Sequence, residues 1–176
     1  MHEKALNIIL KVFGENHPNV ASSCDNLGNA FKDKGEIEKA INFYEKALNI
    51  RLKVFGENHP DVASSYNNLG AVFYGKGEIE KAINFYEKAL NIKLKVFGEN
   101  HPDVAGSYNN LGLAFYGKAE IEKAIDFYEK ALNIRLKVLG ENHTDVASSY
   151  NNLGVAFKDK GEIEKAINFY EKALNI

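Results

Sequence analysis

The sequence predicts an all-α solenoid, a stack of near-identical helix–turn–helix units. Three observations carry this. The hexapeptide Glu-Lys-Ala-Leu-Asn-Ile begins at Glu3, Glu45, Glu87, Glu129 and Glu171, a period of 42 residues without an insertion. Within each unit, apolar residues recur at three- and four-residue steps, and nothing alternates with the period of two that a strand needs. Glycines punctuate the units at fixed offsets. Gly-Glu-Asn-His recurs at Gly14, Gly56, Gly98 and Gly140, and Asn-Leu-Gly at Asn26, Asn68, Asn110 and Asn152.

The second unit shows how each element arises. From Asp61 to Lys76, the residues Val62, Ala63, Tyr66, Leu69, Gly70 and Phe73 fall at helical spacing. Pro60 suits the first turn, where a missing N–H costs nothing. Gly77 suits a left-handed C-terminal cap. The pattern resumes from Glu78 to Phe97 with Ile79, Ala82, Ile83, Tyr86, Ala89, Leu90, Leu94 and Phe97. Acidic Glu78 and Glu80 at its start favour the helix dipole. Gly98 ends it, and Glu99-Asn100-His101 leads to the next unit at Pro102. Gly70 lies inside a helix, where glycine costs about 1 kcal/mol relative to alanine. That cost makes sense if a neighbouring helix needs close approach, with Tyr66, Phe73 and Tyr86 filling the space around it. One hairpin cannot bury both its faces, and stacking hairpins builds a continuous core. The expected organisation is a single array over residues 1–176: a half helix over 1–13, then units near 18–55, 60–97, 102–139 and 144–176.

Bulk properties narrow the function. Of the 176 residues, 45% are hydrophobic and 26% charged, with a net charge of -2. Lys and Arg are interspersed with Glu, so no basic surplus points to nucleic acid. No apolar run approaches the length of about 20 that spans a membrane. Cys24 is the single cysteine, so no intramolecular disulfide forms, and no secretory signal opens the chain. A cytoplasmic location is therefore expected.

Tyr66, Leu69-Gly70, Phe73, Gly77, Ala82, Tyr86 and Ala89 match the signature of the tetratricopeptide repeat (TPR) at its spacings. The 42-residue period and the phrase Phe-Gly-Glu-Asn-His-Pro-Asp-Val-Ala from Phe55 resemble the longer variant found in kinesin light chains and many bacterial arrays. The resemblance covers essentially the whole chain. It departs at Cys24, where the signature has an aromatic residue, at Ala119, where the turn glycine stands, and at Thr144, where the loop proline stands. A left-handed backbone at Ala119 would strain that turn by about 1 kcal/mol. The resemblance implies a right-handed α–α superhelix that holds a protein or extended peptide segment in a concave groove.

Variation between units is concentrated on the first helix. The residue two after the signature leucine is Asn29, Ala71, Leu113 and Val155. The positions after the core phenylalanine hold Lys32-Asp33, Tyr74-Gly75, Tyr116-Gly117 and Lys158-Asp159. Asp25 becomes Asn67, Asn109 and Asn151. These sites share one helix face by their three- and four-residue steps, and the resemblance places that face in the groove. Its ends then carry Lys32 and Lys158, and its middle carries Ala71, Tyr74, Leu113 and Tyr116. A segment with an apolar centre fits that pattern; drift on an exposed face after recent duplication produces it equally. Asn26, Asn68, Asn110 and Asn152 do not vary, and an amide donates and accepts at once. Spaced about 10 Å apart, as packed helix pairs are, they match the asparagine ladder with which related proteins hold a peptide backbone. The other reading is that they cap or bridge adjacent helices. The basic residues of a carboxylate clamp are missing beside them, where Ser, Asp and Asn stand.

Chemistry is not expected. His17, His59, His101 and His143 recur once per unit, about 10 Å apart, too far to share a zinc ion bound at about 2.1 Å. They read as caps at helix starts. Cys24 takes the place of Tyr66 and reads as a small buried hydrophobe with no base beside it. No phosphate loop appears, and no cofactor, metal or catalytic residue is expected. The chain starts and stops within second helices, with no polar capping helix. Either it is a segment of a longer array, or its ends stack head to tail into a homo-oligomer. The functional expectation is a scaffold that binds a peptide in its groove, with a self-assembling structural array as the alternative.

Overall fold

The computed structural model describes residues 14–176, so the half helix expected over residues 1–13 lies outside them. Among the described residues there are eight helices and no strand. They are α1 (Pro18–Asp33), α2 (Ile37–Phe55), α3 (Pro60–Gly75), α4 (Ile79–Phe97), α5 (Pro102–Gly117), α6 (Ile121–Leu139), α7 (Thr144–Asp159) and α8 (Ile163–Leu174). The chain forms two compact units, Met1–Ile92 and Lys93–Ile176. In the first, α1 packs on α2 and α3 packs on α2. In the second, α5 packs on α6, α7 on α6 and α8 on α7.

The helix starts show what the recurring histidines do. His17, His59, His101 and His143 are N-caps in extended backbone, and each Nδ1 accepts the N–H two residues on at 3.1 Å. That satisfies one of the donors a helix start leaves open. The first three are followed by proline at the first helical position, which has no N–H to satisfy. The rings of Phe55 and His59 stack at 4.2 Å, which fixes the loop against the preceding helix.

The exits of the shorter helices rest on left-handed residues. Gly77 has φ 82. Its N–H donates to Tyr74 O, and Glu78 N–H donates to Phe73 O, both at 2.9 Å. Ala119 makes the same turn in the third repeat at φ 62 and is the one non-glycine residue with positive φ among those described. A Cβ in that conformation costs roughly 1 kcal/mol. Ala119→Gly is therefore expected to raise the melting temperature by about 2–4 °C in thermal unfolding.

Glycine inside the helices brings the pair together. A Cβ on Gly70 would lie 2.6 Å from the Tyr86 ring, and one on Gly112 the same distance from Tyr128. Gly28 faces Tyr44 and Gly154 faces Tyr170 in the same way. The tyrosine ring of the second helix thus packs directly against the backbone of the first. Aromatic rings also pack across each pair. Tyr66 and Phe73 flank Phe85 at 6.1 and 5.5 Å. Tyr108 and Phe115 flank Phe127 at 6.1 and 5.3 Å, and Tyr150 and Phe157 flank Phe169 at 6.0 and 5.4 Å. The first repeat has only the Phe31–Phe43 pair, at 5.4 Å, because its third position is the buried Cys24.

Candidate functional site

The sites of variation lie on the first helix of each repeat, largely in reach of solvent. In the first unit, Asn26, Asn29, Lys32 and Ala71 are exposed, and Asn67, Asn68 and Tyr74 are half-buried. In the second, Leu113, Asn151, Val155 and Lys158 are exposed, and Asn109, Asn110, Tyr116 and Asn152 are half-buried. Large apolar side chains at solvent are informative here: Leu113 and Val155 are each 37% exposed on otherwise polar helix faces.

Several of these residues bond across repeats. Asn68 Nδ2 donates to Asp25 Oδ1 at 3.3 Å, and Asn152 Nδ2 donates to Asn109 Oδ1 at 2.9 Å. So at least these two asparagines bridge adjacent first helices, and each uses one amide N–H to do so. The amide carries further donor and acceptor capacity beyond that bond. Tyr116 Oη donates to the Asp159 carboxylate one repeat on. Tyr44 Oη donates to Asn29 Oδ1 at 2.7 Å within its own repeat.

Behind the asparagines stands a basic residue that the sequence reading passes over. Arg51 of α2 is buried, pairs with Asp25 Oδ2 at 2.6 Å and donates to Ser65 Oγ at 2.6 Å. Two helices of one repeat and the first helix of the next meet at this cluster. In the second unit, Arg135 occupies the same register and donates to Ser149 Oγ at 2.6 Å and to the Asp145 carbonyl at 3.1 Å. The register of Asp25, however, holds Asn109, which brings no charge. Burial pulls the Arg135 guanidinium below its ordinary value, with the Asp145 carboxylate opposing. Burial does the same to Lys93, which reaches the Asp103 carbonyl at 3.4 Å. A signal for these basic residues is present in the sequence: Arg51 follows Ala47 and Leu48 by four and three residues and so continues their buried stripe.

Among the described residues, no cluster of His, Cys, Asp and Glu could hold a metal ion, and no helix is long and apolar enough to cross a membrane.

The tetratricopeptide repeat model matches four overlapping spans, residues 1–53, 25–95, 61–137 and 103–176. No curated protein matches the chain. Solved structures do. BtubC (BKLC) from P. vanneervenii is 28% identical, with a TM-score of 0.87 over 99% of this chain and 69% of that one. A Podosopora anserina putative kinesin light chain with nearly identical TPR-like repeats is 22% identical, with a TM-score of 0.82 over 99% of this chain and 82% of that one. MamA is 25% identical, with a TM-score of 0.67 over 98% of this chain and 84% of that one.

Proposed function

Since this chain belongs to the tetratricopeptide repeat family, whose members are in general protein-interaction scaffolds rather than enzymes, we propose that the varied first-helix faces bind an extended peptide segment bearing an acidic side chain. In the first unit the face comprises Asn26, Asn29, Lys32, Asn67, Asn68, Ala71 and Tyr74. In the second it comprises Asn109, Asn110, Leu113, Tyr116, Asn151, Asn152, Val155 and Lys158.

One observation carries this reading. Arg51 has Asp25 as its counter-ion at 2.6 Å, whereas its counterpart Arg135 has the neutral Asn109 in that register. A half-buried guanidinium held by the Ser149 hydroxyl and the Asp145 carbonyl, with the Asp145 carboxylate acting on it but no ion pair made, is a receptor for a carboxylate, because an arginine cannot shed its proton to escape the cost of burial. Exposed Leu113 and Val155 on the first helices of the same unit supply apolar contact. The lone cysteine is free and buried, which supports a reducing, cytoplasmic setting.

The test is selection of peptides from a library of short random sequences. Selected peptides are expected to be enriched in Asp or Glu next to an apolar residue. Arg135→Met is expected to weaken their binding about tenfold or more, as loss of a desolvated charge partner does. Peptides without an acid, or binding indifferent to Arg135→Met, would overturn the proposal.

A second reading has one observation behind it. Ile163, Ile167 and Leu174 of α8 are 51, 45 and 86% exposed, while Ile125 and Leu132 of α6 are 6 and 7% exposed beneath α7. That face could stack on another copy. Light scattering during the same titrations separates the two: a mass that climbs with concentration favours stacking.

A further inference from the structure

The tyrosine that packs on each first-helix glycine ends in a hydroxyl, and the residue after that glycine decides what the hydroxyl meets. In the first repeat Tyr44 packs on Gly28, and its Oη donates to Oδ1 of the next residue, Asn29, at 2.7 Å. The second repeat sets Tyr86 on Gly70 in the same way: a Cβ on either glycine would lie 2.6 Å from Cε1 of its tyrosine. The Tyr86 hydroxyl therefore comes to the register of Asn29. That register holds Ala71, whose methyl group accepts no hydrogen bond. The later repeats carry the larger Leu113 and Val155 there.

Tyr86 is 3% exposed, and among the described residues its hydroxyl has no hydrogen-bond partner. No buried side-chain oxygen or nitrogen among those residues is left unpaired, so the Tyr86 oxygen opens to the surface. Ala71 beside it is exposed. Burial pushes the Tyr86 phenol up to about 12, with the nearby Tyr74 phenol adding to it, so the hydroxyl keeps its proton and stays a donor. An unpaired donor is thus recessed beneath an exposed alanine on the varied face of the first unit.

The first repeat shows which acceptor suits such a hydroxyl: a planar carboxamide at the end of a side chain. The polar groups around Ala71 on α3 are Asn67, Asn68 and Tyr74, none of them charged. Arg51 is already paired with Asp25, and Lys32 is exposed to solvent. A carboxylate would shed its water here for a neutral donor, which costs more than it costs an amide. A recessed hydroxyl is also reached by the tip of a side chain more readily than by a main chain lying along the helices.

We propose that the Tyr86 hydroxyl, opened by Ala71, is a subsite for the side-chain amide of Asn or Gln in a bound peptide, whose carbonyl sits on Tyr86 as the Asn29 carbonyl sits on Tyr44. The subsite rests on the reading that this face binds peptides, and it is independent of Arg135.

The test selects the random peptide library on the parent chain, on Tyr86→Phe and on Ala71→Asn, and sequences the three pools. Both variants keep the packing: phenylalanine leaves the ring on Gly70, and asparagine in this register is what the first repeat carries. The parent's pool is expected to be enriched in Gln or Asn. That enrichment disappears in both variants, while the enrichment in acids that depends on Arg135 persists. Titration of one amide-bearing peptide then reads the contact. Tyr86→Phe is expected to weaken it about five-fold, as loss of one hydrogen bond does. The same peptide with Met in place of its amide residue binds parent and Tyr86→Phe alike. The absence of amide-bearing peptides from the parent's pool overturns the proposal, whatever becomes of the acids, and so does an amide enrichment that survives in Tyr86→Phe. An equal loss for peptides with and without the amide assigns the hydroxyl to a main-chain carbonyl, and a preference for Glu over Gln assigns it to a carboxylate; either overturns the proposal. Amide enrichment without acid enrichment leaves this subsite standing and sinks the Arg135 reading instead.

Discussion

Gly112→Ala is expected to destabilise the second unit by about 2 kcal/mol, although alanine is the better helix former. The added Cβ would sit 2.6 Å from two carbons of the Tyr128 ring, which is buried with 3% of its surface exposed. Neither partner has room to yield, so α5 and α6 must move apart along their whole contact. The helix propensity gained is at most about 1 kcal/mol, and overpacking a tight core costs about 1–3 kcal/mol or more. Gly106→Ala is the internal control. It lies in the same helix, with nothing within 4 Å of its Cβ, and is expected to stabilise. Urea unfolding midpoints of the two variants should fall on opposite sides of the parent. Equal midpoints would mean that α5 and α6 are not held in close contact.

Arg51→Met is expected to cost about 3 kcal/mol at neutral pH, because it leaves the Asp25 carboxylate poorly solvated and without its cation. The side chains of Arg51 and Asp25 are only 10 and 14% exposed, so water compensates little. Asp25→Asn should be much milder, since it reproduces the neutral Asn109 that Arg135 already tolerates. Urea midpoints of Arg51→Met in the parent and in the Asp25→Asn background check this: a loss equally large in both would show that packing, not charge, is what the arginine supplies.

Much of the fold is legible in the sequence because its signals are local and repeated. Glycine and proline punctuation places the helix ends to within a residue: the spacing predicts Asp61–Lys76, and Pro60–Gly75 is found. The capping histidines and the strained Ala119 also follow from residue type and position alone. The candidate site is legible only as a face. Arg51 and Arg135 draw no notice in the sequence because Arg and Lys usually face solvent, and their burial depends on which neighbouring helix covers them. Asp25 reads as one more varied surface position, yet it is half of an ion pair with a residue 26 positions on. Asn68 and Asn152 are equally readable as peptide ligands or as bridges; distances of 3.3 and 2.9 Å show the bridge, and the ligand role awaits a peptide. Cys24 reads correctly as a buried small residue.

The near-identity of the repeats has a consequence for how such a chain finds its native pairing. When every seam is built from the same residues, a helix that docks one repeat out of place meets an almost equally good partner, and repeat proteins misassemble by this route. Burial alone gives a slipped arrangement little penalty. The Asp25–Arg51 pair breaks that degeneracy, because Asp25 is the only carboxylate in its register along the chain. A slip that separates Asp25 from Arg51 leaves the carboxylate covered and without its cation, so this one seam acts as a key against which the interchangeable seams are counted.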